Sequence, residues 1–253
     1  MTEKDYQELH RRSRINSEQI REMWRGDAEK ILERFVHGDT MVVVTGPGGS
    51  GKTVNLIPQM IEVGAEQGYT CKGVDCQALS GLDWSQLPIS LKKRAGEVTG
   101  KQDVLLLDEA DCLQDKDVLL AQLVEVVHNW GYIGIVALIR EESPGDKMDE
   151  ITRWIDSEIA HNGKPSSYRI EPKKLPPKLA EEFLLISGVE RDQARYIVDN
   201  FPTYPRVLVQ LQGLKTEQKI KDYWEDLVIR QKRGLGFGFS ESDVIDTYKK
   251  LGI

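Results

Sequence analysis

A glycine-rich segment of the chain has the residue types and spacing needed to bind phosphate groups. Residues 46–53 fit the pattern G-x-x-x-x-G-K-[ST]. Glycines let the backbone turn with few Cβ clashes, so consecutive N–H groups can point at phosphate oxygens. Lys52 would supply a cation for the β- and γ-phosphates, and the Thr53 hydroxyl is a hard oxygen ligand for Mg²⁺. The predicted nucleotide-binding residues are Gly46, Pro47, Gly48, Gly49, Ser50, Gly51, Lys52 and Thr53.

Two adjacent acids, Asp108 and Glu109, follow the short apolar run of residues 104–107. If that run is a strand of a parallel sheet, it ends at the carboxyl edge, where ligands bind. Asp108 would then orient Mg²⁺ through water, and Glu109 would act as general base or position the attacking water. The alternative is a pair of surface acids in a turn. An Asp-Glu pair favours a hydrolase over a small-molecule kinase, because a kinase must exclude water.

Apolar runs and amphipathic stretches alternate through the first two thirds of the chain, and this alternation predicts an α/β fold with a parallel sheet and flanking helices. The predicted strands are residues 41–44, 69–77, 104–107, 132–139 and 168–170. The predicted helices are residues 17–36, 52–67, part of 80–97, 118–128 and 148–160. Together with the glycine-rich motif of residues 46–53, this alternation predicts the parallel sheet of a P-loop NTPase.

The pattern changes after residue 172, where prolines precede a series of helical stretches. These are residues 178–186, 191–199, 205–213, 216–232 and a last helix that begins at Ser240. We therefore predict two domains. Residues 1–172 form the P-loop ATPase α/β domain with its N-terminal helix, and residues 173–253 form an all-α lid.

Charge and composition limit the classes of partner. The formal net charge of −7 argues against a broad nucleic-acid surface, although a local patch can still bind one. The densest basic cluster, Arg11, Arg12 and Arg14, is either a solvated helix face or a nucleic-acid arm. No apolar run approaches the roughly 18 residues of a membrane span. Three cysteines in no metal-ligand spacing and a polar N-terminus predict a cytoplasmic protein with no membrane partner.

Two nucleotide-dependent classes are disfavoured. Residues 108–111 spell DEAD, the signature of a helicase group. Such helicases need two tandem α/β domains closing on one nucleotide, and the pattern predicts one. A GTPase is disfavoured because the guanine-binding sequence N-K-x-D is absent from the chain.

The combination of these segments resembles the AAA+ ATPases over residues 20–250. The most specific parts are residues 42–53, residues 104–111 and the pair Pro205-Arg206 in the helical region. Within that family the chain looks most like the origin-initiator and transposition-regulator branch, whose members handle DNA. This narrower likeness rests on residues 72–77 and 239–244.

The resemblance implies roles for several arginines. Arg206 matches the sensor-2 arginine, which contacts the γ-phosphate of its own subunit; a helix-surface arginine is the alternative. Arg140 stands where the family usually has a polar sensor-1 residue, so the sensor is either replaced by Arg140 or missing. The arginine finger that a neighbouring subunit supplies would be Arg153 or Arg169, with Arg153 preferred. The predicted catalytic set is Glu109, Lys52, Arg206, Arg140 and Arg153.

The resemblance also implies an activity. The protein would be an ATP-hydrolysing switch that binds ATP and Mg²⁺. A second copy of the chain in a homo-oligomer, or a partner ATPase subunit, would complete the site. DNA is a candidate partner, in replication initiation, helicase loading or transposition. Initiators usually append a winged-helix domain, for which we expect no room here. The alternatives are an ATP-gated protein-binding signalling switch and a protein-remodelling ATPase with residues 82–84 as its pore loop.

The phosphate-binding role of the glycine-rich segment gives a first prediction. Lys52→Ala should abolish nucleotide binding, because it removes the cation that faces the β- and γ-phosphates. Titration calorimetry with ATP and Mg²⁺ measures this loss. Retained ATP affinity would contradict the role assigned to residues 46–53.

Overall fold

The computed structural model describes residues 17–82, 86–98, 102–113, 127–140, 165–232 and 239–252. Several sequence predictions fall outside these ranges. They concern the basic cluster near the N-terminus, the helix over residues 148–160 with Arg153, most of the helix over residues 118–128, and most of the suggested pore loop.

The predicted parallel sheet is present. Its five strands lie in the order β2-β3-β4-β1-β5, and every pairing is parallel. The strands are β1 Met41–Thr45, β2 Tyr69–Asp75, β3 Gln102–Asp108, β4 Tyr132–Leu138 and β5 Pro165–Arg169. All five residues of β1 are buried, as expected of a short apolar run with helices on both faces. The predicted α/β fold class is therefore confirmed.

Strand β2 ends two residues earlier than the apolar pattern predicts. The Asp75 side chain accepts a hydrogen bond from the Gln77 backbone N–H at 2.9 Å and caps a 3₁₀ turn over Cys76–Leu79. Such local bonds compete with strand pairing. Similarly, β5 begins at Pro165, ahead of the predicted residue 168.

Within the described residues, the α-helices that accompany the strands include α1 Ser17–Glu22, α2 Arg25–Val36, α3 Ile57–Gln67 and α4 Leu87–Ala95. The prediction of one continuous helix over residues 17–36 was wrong, because the chain turns at Met23 and Trp24. The Trp24 side chain is buried there against the glycine-rich segment. The helix predicted to begin at Lys52 opens with a π-helical turn, Lys52–Leu56, before α3.

The described residues beyond Pro176 form helices only: α5 Pro177–Ile186, α6 Arg191–Asn200, α7 Pro205–Leu211, α8 Glu217–Lys232 and α9 Glu241–Leu251. The capping-box-like start of α9 is confirmed, since Ser240 and Asp243 each bond the other's backbone N–H. The exact division of the chain after residue 172 stays a prediction.

The core forms two apolar clusters on opposite faces of the sheet. Val42 and Val44 of β1 face one cluster, and Met41 and Val43 face the other, because successive strand residues point to opposite faces. The first cluster contains α2, α3 and the buried residues of α5 to α8. The second contains α4. The C-terminal helices thus share a core with the helices next to the glycine-rich segment.

The connection between β5 and α5 is hydrogen-bonded to both parts of the chain. The Ile170 N–H donates to the Thr45 carbonyl at 2.9 Å, beside the start of the glycine-rich segment. The Leu175 N–H donates to the Thr203 carbonyl at 3.0 Å, and the Thr203 hydroxyl donates back to the Leu175 carbonyl at 2.7 Å. Lys174 also pairs with Asp243 at the start of α9.

Among the described residues, no helix is both long and apolar enough to cross a bilayer. The three cysteines are free thiols. Burial raises the pKa of the Cys71 thiol to about 12 and also raises the pKa of the Cys76 thiol. Both thiols therefore stay protonated at neutral pH, and a protonated thiol is a poor nucleophile.

Close packing of β4 generates a stability prediction. A Cβ added to Gly134 would clash with the Phe35 ring and lie 2.7 Å from the Thr40 carbonyl oxygen. Gly134→Ala should therefore lower the free energy of unfolding by about 1–3 kcal/mol, the usual cost of overpacking. Urea denaturation measures this change.

The matched control is Gly26→Ala. Gly26 lies in α2 with open space around it, so the substitution should leave stability unchanged or raise it by about 0.5–1 kcal/mol. Equal effects of the two substitutions would contradict the packing described for β4.

Candidate nucleotide-binding site

The glycine-rich segment, residues 46–53, turns sharply at the carboxyl end of β1. Gly49 and Gly51 have φ angles of +84° and +89°, a conformation that side chains disfavour. Gly46 is required for a different reason, because an added Cβ would lie 2.8 Å from the Ile170 carbonyl oxygen. The glycines predicted from the motif are therefore needed both for backbone conformation and for close approach.

Lys52 directs its ammonium group into this segment. Its Nζ donates to the Gly46 carbonyl at 2.6 Å, the Pro47 carbonyl at 3.3 Å and the Ser50 hydroxyl at 3.2 Å. The ammonium therefore lies inside the turn formed by the backbone that is predicted to surround the phosphates. Phosphate oxygens bound there would compete for it as charged acceptors, which are stronger than neutral carbonyls.

The two motifs predicted from the sequence meet in space. The Thr53 hydroxyl donates to Asp108 Oδ1 at 3.0 Å. Thr53 lies in the segment after β1, and Asp108 is the last residue of β3. The two strands are not neighbours in the sheet, because β4 lies between them. The carboxyl ends of these parallel strands converge at one edge, as a ligand site in an open α/β sheet requires.

This pair fits a magnesium ion that also binds nucleotide phosphates. It offers one hydroxyl and one carboxylate, both hard oxygen donors. Elsewhere in the described ranges no group of three or more His, Cys, Asp or Glu residues could hold a metal. Mg²⁺ typically uses one or two protein oxygens and completes its octahedron with phosphates and waters. The donor set is therefore the one expected of a nucleotide-bound ion.

Burial makes Asp108 unusually hard to ionise. The residue is 2% exposed, and this burial, with repulsion from Glu109, raises the pKa of its carboxyl from 3.8 to about 6. Hydrogen bonds from Thr53 and from the Glu109 backbone N–H, at 3.1 Å, act in the opposite direction. A divalent cation would supply the neighbouring positive charge that stabilises the ionised form of this buried carboxyl group.

Glu109 is held in a strained backbone conformation beside Asp108. Its φ angle of +51° is the only positive value of a non-glycine residue in the described ranges, and it costs on the order of 1 kcal/mol. Its carboxylate lies 3.9 Å from the Arg140 guanidinium. The Arg140 backbone N–H donates to Asp111 Oδ1 at 3.1 Å, which joins the ends of β3 and β4. The side chain of Glu109 is 36% exposed and accessible to water.

Arg206 lies directly against the glycine-rich segment. A Cβ added to Gly49 would clash with Arg206 Cδ and lie 3.0 Å from Arg206 Cβ. Arg206 is the second residue of α7, so the C-terminal helices bring a positive charge to the predicted phosphate site. Burial, and then repulsion from Arg140, lowers the pKa of its guanidinium. Two of the predicted arginines therefore converge at this site.

The other two predicted arginines are Arg169 and Arg153. Arg169 ends β5, in register with Thr45, and pairs with Glu171 on the surface. Arg153 lies outside the described residues. The finger role stays a prediction for both.

The sequence pattern placed Trp24 within the predicted helix over residues 17–36 and indicated no role for it at the site. In the structure its indole N–H donates to the Ser50 carbonyl at 3.1 Å. The signal that could have revealed it is the tryptophan followed by Arg-Gly within an otherwise regular helical pattern. A bulky ring next to a helix-weakening glycine is compatible with a turn.

No protein-family model and no curated protein sequence matches the chain. Its fold is similar to that of the Walker-type ATPase PABY2304 of Pyrococcus abyssi, with 13% identity, a TM-score of 0.44 and coverage of 90% of this chain and 88% of that one.

Cdc6p of Pyrobaculum aerophilum matches with 15% identity, a TM-score of 0.45 and coverage of 89% and 69%. Domain III of the Thermotoga maritima replication initiation protein DnaA matches with 13% identity, a TM-score of 0.40 and coverage of 88% and 90%. One of these proteins is a Walker-type ATPase and another is a domain of a replication initiation protein. Similarity at this level carries no argument about activity, which must rest on the site.

The buried carboxylate predicts a pH-dependent effect of Asp108→Asn. Between about pH 4 and 6 the unfolded chain has lost the Asp108 proton while the folded protein keeps it. Because the unfolded chain releases this proton and the folded protein does not, the stability of the folded protein falls as the pH rises through this window. Without metal, Asp108→Asn should become more stabilising, relative to the natural protein, by on the order of 2 kcal/mol from pH 4 to pH 7.

Urea denaturation in a chelator at several pH values measures this difference. Asp246→Asn, on the exposed surface of α9, is the control for the exchange of an aspartate for an asparagine. A pH-independent difference for Asp108→Asn would show that burial does not raise the pKa of this carboxyl.

Proposed function

We propose that the chain is an AAA+-type ATPase that binds ATP with Mg²⁺ at residues 46–53 and hydrolyses it. The observation that carries the proposal is the 3.0 Å hydrogen bond from Thr53 to Asp108. It joins a phosphate-binding motif to an acid pair 55 residues away in the sequence, at one edge of a parallel sheet. A chance glycine-rich turn would have no reason to contact that carboxylate.

Binding would use the backbone N–H groups of the glycine-rich turn and the Lys52 ammonium for the phosphates. Thr53 and Asp108 would hold Mg²⁺, which supplies charge neutralisation at the β- and γ-phosphates. The Lys52 bonds to Gly46 and Pro47 would be exchanged for bonds to phosphate oxygens. This exchange favours binding because the new acceptors are charged.

Hydrolysis would use Glu109, the exposed member of the acid pair. Its carboxylate accepts a proton from water as the water oxygen bonds to the γ-phosphorus. The bond from that phosphorus to the β–γ bridging oxygen breaks, which leaves ADP and inorganic phosphate. A positioned general base contributes roughly 10²- to 10⁴-fold to such a step.

The arginines would make the rest of the molecule respond to the γ-phosphate. Arg206 carries that response to α7 because its side chain already lies on Gly49. Arg140 pairs with Glu109 in this structure and would exchange this partner for the γ-phosphate, which releases the base. A neighbouring subunit would add Arg153 or Arg169. Hydrolysis would then change the lid angle and the assembly.

The proposed biological output is a DNA transaction, such as replication initiation, helicase loading or transposition. Its support is the likeness of residues 72–77 and 239–244 to the initiator and transposition-regulator branch. The net charge of −7 confines direct DNA contact to a local patch or to a partner. The second candidate is an ATP-gated protein-binding switch in the cytoplasm, which the acidic net charge favours.

One experiment tests the oligomer and the DNA output. The molar mass in solution is measured with and without ATP, and again with short duplex and single-stranded DNA at low salt. Lys52→Ala is the control that removes nucleotide binding. An ATP-dependent oligomer that binds DNA supports the first output, whereas assembly without DNA binding favours the protein-binding switch. The absence of any ATP-dependent assembly would contradict both.

The assignment of Glu109 gives a further prediction. Glu109→Gln should bind ATP with nearly natural affinity and lower the rate of hydrolysis by about 10²- to 10⁴-fold, because an amide cannot accept the proton. Steady-state turnover and ATP titration measure the two quantities.

The control is Glu33→Gln, an exposed acid on α2 that lies 3.8 Å from the His37 ring. Its turnover should be unchanged. Near-normal turnover of Glu109→Gln would remove Glu109 from the mechanism.

A further inference from the structure

The turn between α1 and α2 places one aromatic side chain against the glycine-rich segment. Trp24 is 1% exposed, and its indole N–H donates to the Ser50 carbonyl at 3.1 Å. The edge of the same ring covers Gly51 so closely that an added Cβ would lie 2.7 Å from Trp24 Cζ2. One indole therefore contacts both residues that precede Lys52.

The position of these two residues decides how the phosphates are held. Gly51 adopts its φ of +89° immediately before Lys52 and Thr53, so the peptide planes at Ser50 and Gly51 set the direction of the following N–H groups. The Ser50 hydroxyl also accepts a hydrogen bond from Lys52 Nζ at 3.2 Å. A hydrogen bond that fixes the Ser50 carbonyl thus also fixes the start of the π-helical turn Lys52–Leu56.

The indole is itself held from the other side by Lys173, in the connection between β5 and α5. The Lys173 ammonium lies 5.6 Å from the centre of the Trp24 ring and donates to the Met23 carbonyl at 2.6 Å. It also pairs with Asp27 at 2.5 Å, and the Tyr168 hydroxyl donates to the same carboxylate at 2.6 Å. These bonds attach the turn that contains Trp24 to β5 and to the connection between β5 and α5.

We propose that Trp24, held by Lys173, is a positioning residue for the phosphate-binding loop. It fixes the Ser50–Gly51 peptides through its N–H and its ring edge, and it contacts no reacting atom. The inference rests on the proposed nucleotide binding at residues 46–53. Part of the phosphate affinity of that loop would then come from a residue outside residues 46–53. Loss of the indole N–H should therefore weaken phosphate binding and raise KM without a comparable change in kcat.

The test compares Trp24→Phe with Trp224→Phe. Both side chains are fully buried, and within the described part of the chain Trp224 Nε1 makes no hydrogen bond. Both substitutions remove a similar volume from the core, so both are expected to lower stability. Titrations with ATP and with inorganic tripolyphosphate, each with Mg²⁺, report on the loop with and without a nucleoside.

We expect Trp24→Phe to weaken binding of both ligands by about 3- to 10-fold, the loss of one neutral hydrogen bond. Trp224→Phe should leave both affinities unchanged at a comparable loss of thermal stability. Equal affinities of the two variants for tripolyphosphate would overturn the inference. If the natural protein binds neither ligand, the proposed function fails and the inference fails with it.

If Trp24→Phe does not fold, Lys173→Gln provides the test with the indole in place. The amide can still bond Met23 or Asp27 but leaves no cation over the ring. We expect a weaker effect in the same direction, about 2- to 5-fold on the affinity for tripolyphosphate. Unchanged affinity with unchanged kcat would overturn the inference.

Discussion

The contact between Thr53 and Asp108 depends on the order of the strands more than on either residue. Hydroxyl and carboxylate meet at 3.0 Å because β1 and β3 run parallel and end at the same edge of the sheet, with β4 between them. The same order places the end of β4, and therefore Arg140, between the phosphate-binding loop and the acid pair. A different order of the same strands would separate Thr53 from Asp108, the two proposed magnesium ligands.

The loop is enclosed by parts of the chain that are distant in sequence. Trp24 contacts it from the N-terminal helices, Ile170 from the connection after β5, and Arg206 from the C-terminal helices. Because the C-terminal helices also share the core of α2 and α3, movement of the loop is coupled to packing outside it. Through this coupling, binding of a γ-phosphate at the loop would alter the packing of the C-terminal helices.

Much of this architecture was predictable from local patterns. Continuous β-branched and leucine runs predicted β1 and β3, and the motif spacing predicted Lys52 and Thr53 as nucleotide-binding residues. Contacts that depend on a particular rotamer or backbone turn were not predictable. The turn at Trp24 interrupts a regular apolar periodicity, and the left-handed backbone of Glu109 has no signal in its residue type. The pairing of Arg140 with Glu109 depends on strand order, which alternation alone does not fix.

The central claim is that Lys52, Thr53 and Asp108 form one binding site for a magnesium-bound nucleotide. The most direct measurement is a crystal structure of the protein with ADP and Mg²⁺. We expect Lys52 Nζ to leave the Gly46 and Pro47 carbonyls and bond a β-phosphate oxygen. The Thr53 hydroxyl should coordinate the ion at about 2.1 Å, with Asp108 in its immediate surroundings. A nucleotide bound elsewhere, or an ion with no contact to Thr53 or Asp108, would contradict the account.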